Sequence, residues 1–150
     1  LAQKFDAEGD VRTLLSVKSS EKLNSKNILC NKAKILQASV SDMPFDDNTF
    51  DNITAVETYY FWPDKENDVK EVFRVLKQGG TVMLLFEMLR TDDDPFKWEK
   101  VENMLNIKSV TPQEIRAVLE SAGFENINTY TKEGTTWLCA TAQKPKDDKN

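Results

Sequence analysis

The chain has 150 residues, a mass of 17.2 kDa, a net charge of -5 and a sequence pI near 4.9. This length suits one domain that buries roughly 68–70% of its unfolded surface. The acidic charge argues against nucleic acid as a partner. The chain contains no histidine, which excludes Ser-His-Asp hydrolysis, Cys-His nucleophilic pairs and histidine-based metal sites.

Glycines and cysteines are few and widely spaced. The five glycines cannot form a G-x-G-x-x-G turn or a phosphate-binding loop. Cys30 and Cys139 have neither zinc-ligand spacing nor the density of a disulfide scaffold, so we expect free thiols and a cytoplasmic location. No apolar run approaches the roughly 18 residues of a membrane helix, so we expect no membrane partner.

Strand-like and helix-like patterns alternate through the first half of the chain. Residues 11–15 suggest a strand and residues 16–27 a helix. Residues 33–39 and Phe50–Val56 both read as short strands. Residues 64–77 predict a helix, because apolar residues recur there at helical spacing. The members of this apolar stripe are Val69, Val72, Phe73 and Leu76.

A second strand follows that helix. Gln78, Gly79 and Gly80 are expected to end the helix. Residues 81–87 form an apolar run of the kind found in strands covered on both faces. A strand, a helix and a strand in succession predict a right-handed parallel crossover between Phe50–Val56 and residues 81–87.

Two further helices are predicted downstream. Residues 94–106 suggest one of them. A clearer helix begins after Thr111, because Thr111 and Glu114 have the spacing of a capping box and Pro112 occupies the first helical position. We expect this helix to end at Gly123.

The last part of the chain predicts a hairpin and a tail. Residues 125–131 and 135–142 read as strands joined by a turn at Gly134, hence as an antiparallel pair. The fold class is therefore predicted to be α/β, a Rossmann-like, doubly wound, mostly parallel sheet with a C-terminal antiparallel hairpin. Residues 1–143 would form one domain, and residues 144–150 a polar tail that frays.

Two sequence blocks carry a family resemblance. One is Q-A-S-V-S-D-M-P-F-D-D-N-T-F-D-N-I-T-A-V-E-T-Y-Y-F-W-P-D, and the other is E-V-F-R-V-L-K-Q-G-G-T-V-M-L-L-F-E. In this order and spacing they resemble the class I S-adenosylmethionine-dependent methyltransferases, which have D-a-x-x-L-P-F-x-D-x-x-F-D-x-V followed by E-x-x-R-V-L-K-P-G-G. The resemblance covers most of the chain, and the capped helix and the hairpin also fit the family. It implies S-adenosylmethionine as cofactor and methyl transfer to a small-molecule acceptor.

The resemblance also implies where the site lies. Open α/β sheets bind ligands beyond the carboxyl ends of their strands. Ser39 and Val40 lie where the family recognises adenine, and Glu57 lies beside the methionine moiety. Glu57 would attract the sulfonium or a substrate amine, and aromatic rings would offer cation–π faces. The residues implied at the substrate mouth are Glu57, Tyr59, Tyr60 and Trp62.

Each of these positions also has a plain structural interpretation. The four aromatic residues 59–62 would then be packing under the end of the sheet, and Glu57 a solvated carboxylate. The D-D-D run at residues 92–94 fits a solvated loop and helix N-cap better than a metal site. No residue is identified as a general base, and the acceptor atom and oligomeric state stay open.

The chain departs from the family pattern in several places. The first strand with its G-x-G-x-G turn is missing, as is the acidic residue after the second strand near Val11. Ser39 stands where Asp is common, and Gln78 where Pro is usual. We therefore expect the N-terminal part of the domain to be incomplete and the working protein to contain further residues. The alternatives are a non-catalytic binding or scaffold domain and a different α/β nucleotide-binding enzyme.

Overall fold

The computed structural model describes residues 11–91 and 98–146, with only the backbone described for residues 11–15. A 3₁₀ turn, Tyr59–Phe61, lies between the first strand and the third helix. The helices and strands in chain order are α1 (Val11–Leu23), α2 (Ser25–Leu29), β1 (Phe50–Val56), α3 (Lys65–Val75), β2 (Leu76–Phe86), α4 (Glu99–Leu105), α5 (Pro112–Ser121), β3 (Glu125–Thr131) and β4 (Leu138–Gln143).

The four strands form one mixed sheet in the order β1-β2-β4-β3. Strands β1 and β2 are parallel, with Ile53 opposite Val82 and Val56 opposite Leu85. Strand β4 is antiparallel to both β2 and β3. The predicted parallel pair, the terminal hairpin and the α/β class are therefore confirmed.

One face of the sheet is covered by α3 and α5. Alternate residues of β2 point into this core, because successive side chains of a strand face opposite sides. Complete burial of each large apolar side chain contributes roughly 1.5–3 kcal/mol. The capping box of Thr111 and Glu114 is present at the start of α5, as predicted. The largest fully buried apolar side chains are Phe86, Leu76, Leu84, Ile115, Leu119, Leu138, Val69, Val75 and Val82.

The N-terminal predictions need two corrections. Residues 11–15 are the first part of helix α1 rather than a strand, and helix α2 follows α1 after a single residue. Residues 33–39 form no strand, and their only bridge joins Ser39 to Asp42 within the described residues. A strand is stable only beside a hydrogen-bonded neighbour, and the sheet described here ends at β1.

The glycine pair does not end a helix. Helix α3 ends at Val75, and Gly79 and Gly80 lie inside β2. A Cβ on Gly80 would lie 2.8 Å from the carbonyl oxygen of Lys77 and 2.9 Å from that of Asp51. Gly80 therefore permits a close approach of β1 and β2, where the register shifts, whereas a Cβ on Gly79 would contact the side chain of Lys146.

Lys144 was predicted to begin a fraying tail, yet its side chain is buried. Its ammonium donates hydrogen bonds to the carbonyl oxygens of Phe73 at 2.8 Å and Leu76 at 2.9 Å and to Asn48 Oδ1 at 3.0 Å. It also lies 4.6 Å from the centre of the Phe73 ring. The ammonium therefore caps the end of α3 from a distant part of the chain.

Some predictions lie outside the described residues. These are the predictions for the acidic run at residues 92–94 and for the end of the tail, residues 147–150. The beginning of the helix predicted over residues 94–106 also lies outside, and α4 is the described part of that helix. Among the described helices, none combines the length and apolar composition needed to cross a bilayer.

Candidate functional site

The candidate site lies where the parallel strands β1 and β2 end side by side. Glu57 follows β1 and Glu87 follows β2, so the two residues lie at the same edge of the sheet. The backbone N–H of Glu57 donates to the carbonyl oxygen of Leu85 at 3.0 Å. Glu57 has a φ of 57°, in the left-handed region that residues with a side chain rarely adopt. Such strain is often found at ligand sites.

The Glu57 carboxyl is incompletely satisfied. Its Oε1 atom is buried and has no hydrogen-bond partner among the described residues. Burial raises the pKa of this carboxyl, the backbone N–H of Glu87 lowers it, and the negative charge of the Glu87 side chain raises it again, with a net upward shift. Ionisation of Glu57 therefore costs more free energy in the folded protein than ionisation of an exposed glutamate.

The aromatic residues after Glu57 separate into buried and exposed rings. Tyr59, Tyr60 and Trp62 are buried, and both tyrosine rings pack against Phe86 with centroid distances of 5.5 and 5.8 Å. Phe61 is 52% exposed. The buried positions agree with the packing interpretation of three of the rings, and their contact with a substrate stays a prediction.

The Tyr60 hydroxyl has a structural role. It accepts a hydrogen bond from the backbone N–H of Met88 at 2.8 Å, just beyond the end of β2. Burial raises the pKa of Tyr60 and raises that of Tyr59 to about 12. Both phenols are therefore neutral at physiological pH, and neither serves as a general base there.

The segment predicted to bind adenine lies before β1. The Ser39 hydroxyl oxygen accepts from the backbone N–H of Ser41 at 3.2 Å. Val40 is buried in the same apolar cluster as Tyr59, Tyr60 and Trp62. No hydrogen bond among the described residues joins Ser39 to Glu57, so the two predicted parts of the site are linked through the core.

A charged network on α3 anchors the continuation of that segment. The Arg74 guanidinium donates to the carbonyl oxygens of Phe45 at 2.8 Å and Met43 at 3.2 Å, and to Asp47 Oδ1 at 2.7 Å. Glu71 accepts from Arg74 and from the Met43 backbone N–H, and Arg74 lowers the pKa of its carboxyl. This network was not predicted, although Glu71 and Arg74 both lie in the second of the two sequence blocks that resemble the family.

A second unsatisfied carboxyl lies deeper in the core. Asp68 on α3 is fully buried, and its Oδ2 accepts from the backbone N–H of Asp64 at 2.9 Å. In the part of the chain that the structure describes, Oδ1 of Asp68 and the buried indole N–H of Trp62 have no hydrogen-bond partner. Helical spacing distinguishes Asp68 from the exposed acidic residues of the same helix, because Val72 and Val75 lie four and seven residues further on and share its buried face. Within the described residues, no cluster of acidic or cysteine side chains could hold a metal ion.

Comparison with known proteins identifies the family. The sequence profile of the family described as "Methyltransferase domain" matches residues 10–84, which is half of the chain. The chain therefore belongs to this methyltransferase family. Family membership implies S-adenosylmethionine as the cofactor.

Curated relatives support the same assignment. An uncharacterized methyltransferase, YdaC, from Bacillus subtilis is 29% identical over 83% of this chain and 64% of its own length. The ubiquinone/menaquinone biosynthesis C-methyltransferase UbiE from Cronobacter sakazakii is 31% identical over 83% of this chain and 58% of its own. The chain thus spans about three fifths of the length of these two relatives.

Solved structures show the same fold. A putative sarcosine dimethylglycine methyltransferase from Galdieria sulphuraria superimposes with a TM-score of 0.76. It is 15% identical, and the match covers 95% of this chain and 69% of that one. At this identity the likeness concerns the fold alone.

The residues at the strand ends fit the charge of this cofactor. The sulfonium of S-adenosylmethionine is positively charged, and the Glu57 carboxyl, one oxygen of which has no donor among the described residues, can add negative charge at this edge. Ser39 provides a hydroxyl and Val40 an apolar surface, which suit an adenine ring in chemical type.

Proposed function

We propose that the protein catalyses methyl transfer from S-adenosylmethionine to a small-molecule acceptor. The observation that carries this proposal is the edge at which β1 and β2 end together, with Glu57 and Tyr60 following β1. In this proposal Ser39 and Val40 hold the adenine, and Glu57 lies between the cofactor and the acceptor. Tyr59, Tyr60 and Trp62 form the wall behind the substrate.

The chain's own contribution is binding, orientation and exclusion of water. When bound, the cofactor supplies an electrophilic methyl group on a sulfonium. The buried rings of Tyr59, Tyr60 and Trp62 make the base of the site rigid and apolar, which strengthens the electrostatic effect of Glu57. Positioning of a nucleophile in line with a methyl group needs neither a metal ion nor a covalent intermediate.

The first test is calorimetric titration of the purified protein with S-adenosylhomocysteine, the product form of the cofactor. We expect a dissociation constant on the order of 1 μM, which corresponds to about -8 kcal/mol. The Ser39→Asp variant supplies the residue common in the family, and we expect it to bind about five to ten times more tightly, because a charged acceptor makes a stronger hydrogen bond.

The matched control is Ser41→Asp, which adds the same charge two residues away on an exposed side chain. An equal gain in both variants would show that Ser39 has no specific role. No binding by a folded protein would contradict the proposed function and favour the alternative of a scaffold domain without a cofactor site.

A further inference from the structure

The oxygen of Glu57 without a partner points to a particular kind of ligand. An unpaired buried acceptor destabilises the folded protein, so native structures usually provide a donor. Within the described residues no ion pair joins Glu57 to a lysine or arginine. Glu57 is itself only half-buried and follows the end of a strand, whereas Asp68 is fully enclosed. Glu57 is therefore the unsatisfied carboxyl whose side chain is partly open to solvent, and a rotation of that side chain would bring the covered Oε1 to a ligand.

The surroundings of Glu57 favour a cation over a neutral donor. The exposed carboxylate of Glu87 follows the adjacent strand and adds negative charge at this edge. The other titratable group that interacts with both carboxyls is Tyr60, which stays neutral because its pKa is raised. Phe61, half-exposed on the same 3₁₀ turn, offers a ring to the organic part of such a cation.

We propose that the acceptor is an amine whose ammonium group binds the Glu57 carboxylate. Bound in this way, the ammonium supplies the donor that Oε1 lacks. One N–H proton then passes to Glu57, which becomes a neutral carboxylic acid, and the nitrogen keeps the electron pair of that bond. The neutral amine so formed is a nucleophile, because its nitrogen now holds a free electron pair. This inference rests on the proposed function.

A binding experiment distinguishes the acceptor from the cofactor as the source of the ammonium. S-adenosylhomocysteine carries an ammonium group, whereas 5′-methylthioadenosine lacks it. Both are titrated into the wild type, Glu57→Gln and the control Glu133→Gln, which removes an equal charge in an exposed turn. We expect all three proteins to bind each compound within about twofold. A tenfold loss in Glu57→Gln for S-adenosylhomocysteine alone would assign the carboxylate to the cofactor and overturn the proposal.

A transfer experiment then tests the acceptor class. A panel of amines, each paired with the alcohol of the same shape, is offered with a cofactor labelled at its methyl group; phenethylamine and 2-phenylethanol are one such pair. We expect label only in the amines, a loss of about 100-fold or more in Glu57→Gln, and no change in Glu133→Gln. Label in alcohols, retained transfer by Glu57→Gln, or no labelled amine from a protein that binds S-adenosylhomocysteine would each overturn the proposal.

A spectroscopic readout is independent of turnover. The ¹³C resonance of the Glu57 carboxyl, assigned by its loss in Glu57→Gln, is followed against pH in protein saturated with S-adenosylhomocysteine. We expect the best amine of the panel to lower the apparent pKa of Glu57, because a bound cation favours the carboxylate, and the paired alcohol to leave it unchanged. An equal response to both compounds would contradict a charge-specific site. Failure of the wild type to bind S-adenosylhomocysteine would instead contradict the proposed function.

Discussion

The buried charged groups near the two ends of strand β2 differ in whether the described residues satisfy their hydrogen bonds. At its beginning, the ammonium of Lys144 is surrounded by the carbonyl oxygens of Phe73 and Leu76 and by the side chain of Asn48. Beyond its other end, the carboxyl of Glu57 has a buried oxygen to which residues 11–91 and 98–146 supply no donor. Hydrogen bonds within the protein therefore satisfy the ammonium of Lys144, whereas no described residue donates one to Oε1 of Glu57.

This difference separates a structural charge from a candidate functional one. A buried ion whose hydrogen bonds are complete within the protein holds elements together, and its removal leaves several orphaned groups. A buried ion whose hydrogen bonds are incomplete within the protein marks a position where a ligand can supply the missing hydrogen-bond partner. Four substitutions test this distinction.

The largest effect is expected for Lys144→Met. This change keeps much of the side-chain volume but leaves the carbonyl oxygens of Phe73 and Leu76 without their donor. We expect a loss of about 3 kcal/mol in the free energy of unfolding, measured with urea. Lys132→Met, on an exposed turn, serves as the control and is expected to change stability by less than about 0.5 kcal/mol. Equal losses of unfolding free energy in Lys144→Met and Lys132→Met would show that the buried ammonium stabilises the protein no more than an exposed one.

Arg74→Ala tests a second satisfied cation. The variant loses hydrogen bonds to Met43, Phe45 and Asp47, and we expect a loss of about 2 kcal/mol. Arg116→Ala is the matched control, because its 3.8 Å ion pair with Glu120 is exposed and contributes little. Urea unfolding of both variants measures the difference. A change below about 0.5 kcal/mol in Arg74→Ala would mean that the network does not anchor this segment.

Tyr60→Phe examines a satisfied group inside the candidate site. Loss of the hydroxyl leaves the Met88 backbone N–H without its acceptor, and we expect a cost of about 1 kcal/mol. Tyr130→Phe removes an exposed hydroxyl from β3 and is expected to be neutral. Thermal unfolding compares the two variants. A neutral Tyr60→Phe would indicate that the hydroxyl is available to a ligand rather than committed to the fold.

The smallest effect, and one of opposite sign, is expected for Glu57→Gln. The folded-state pKa of Glu57 is raised, so its stabilising contribution is present at low pH and is lost as the pH rises from about 4.5 through the raised folded value. The variant lacks this loss, and we expect it to be about 0.5 kcal/mol more stable than the wild type at pH 7. Urea unfolding at several pH values should show the difference vanishing in acid. A destabilised variant at pH 7 would mean that the Glu57 carboxylate is satisfied by the fold.

Elements with dense local patterns could be predicted from the sequence. The apolar stripe of α3, the apolar run of β2 and the capping box at Thr111 each depend on residues close together in the chain. Residues 11–15 and 33–39 were predicted wrongly, because a strand exists only if a distant segment pairs with it. The role of Gly80 was predicted wrongly for a similar reason, since it depends on the approach of β1.

The sequence predicted where the candidate site lies but not which of its polar groups lack hydrogen-bond partners. The rule that ligands bind beyond strand ends identified Glu57, and the family resemblance added Ser39 and Val40. The missing partner of Glu57 Oε1 and the buried ammonium of Lys144 depend on side chains that meet only in the folded chain. Satisfaction of a polar group by tertiary contacts has no local sequence pattern.

The contact made by Lys144 also has a consequence for biosynthesis. Phe73 and Lys144 are 71 residues apart, so helix α3 leaves the ribosome well before its cap has been translated. Until β4 docks beside β2, the carbonyl oxygens of Phe73 and Leu76 lack the Lys144 donor, whereas those of Arg74 and Val75 accept from the backbone N–H groups of Asn48 and Thr49. Docking of the C-terminal strand therefore brings the Lys144 ammonium to the junction of α3 and β2. A nascent chain that stops before residue 144 lacks these hydrogen bonds.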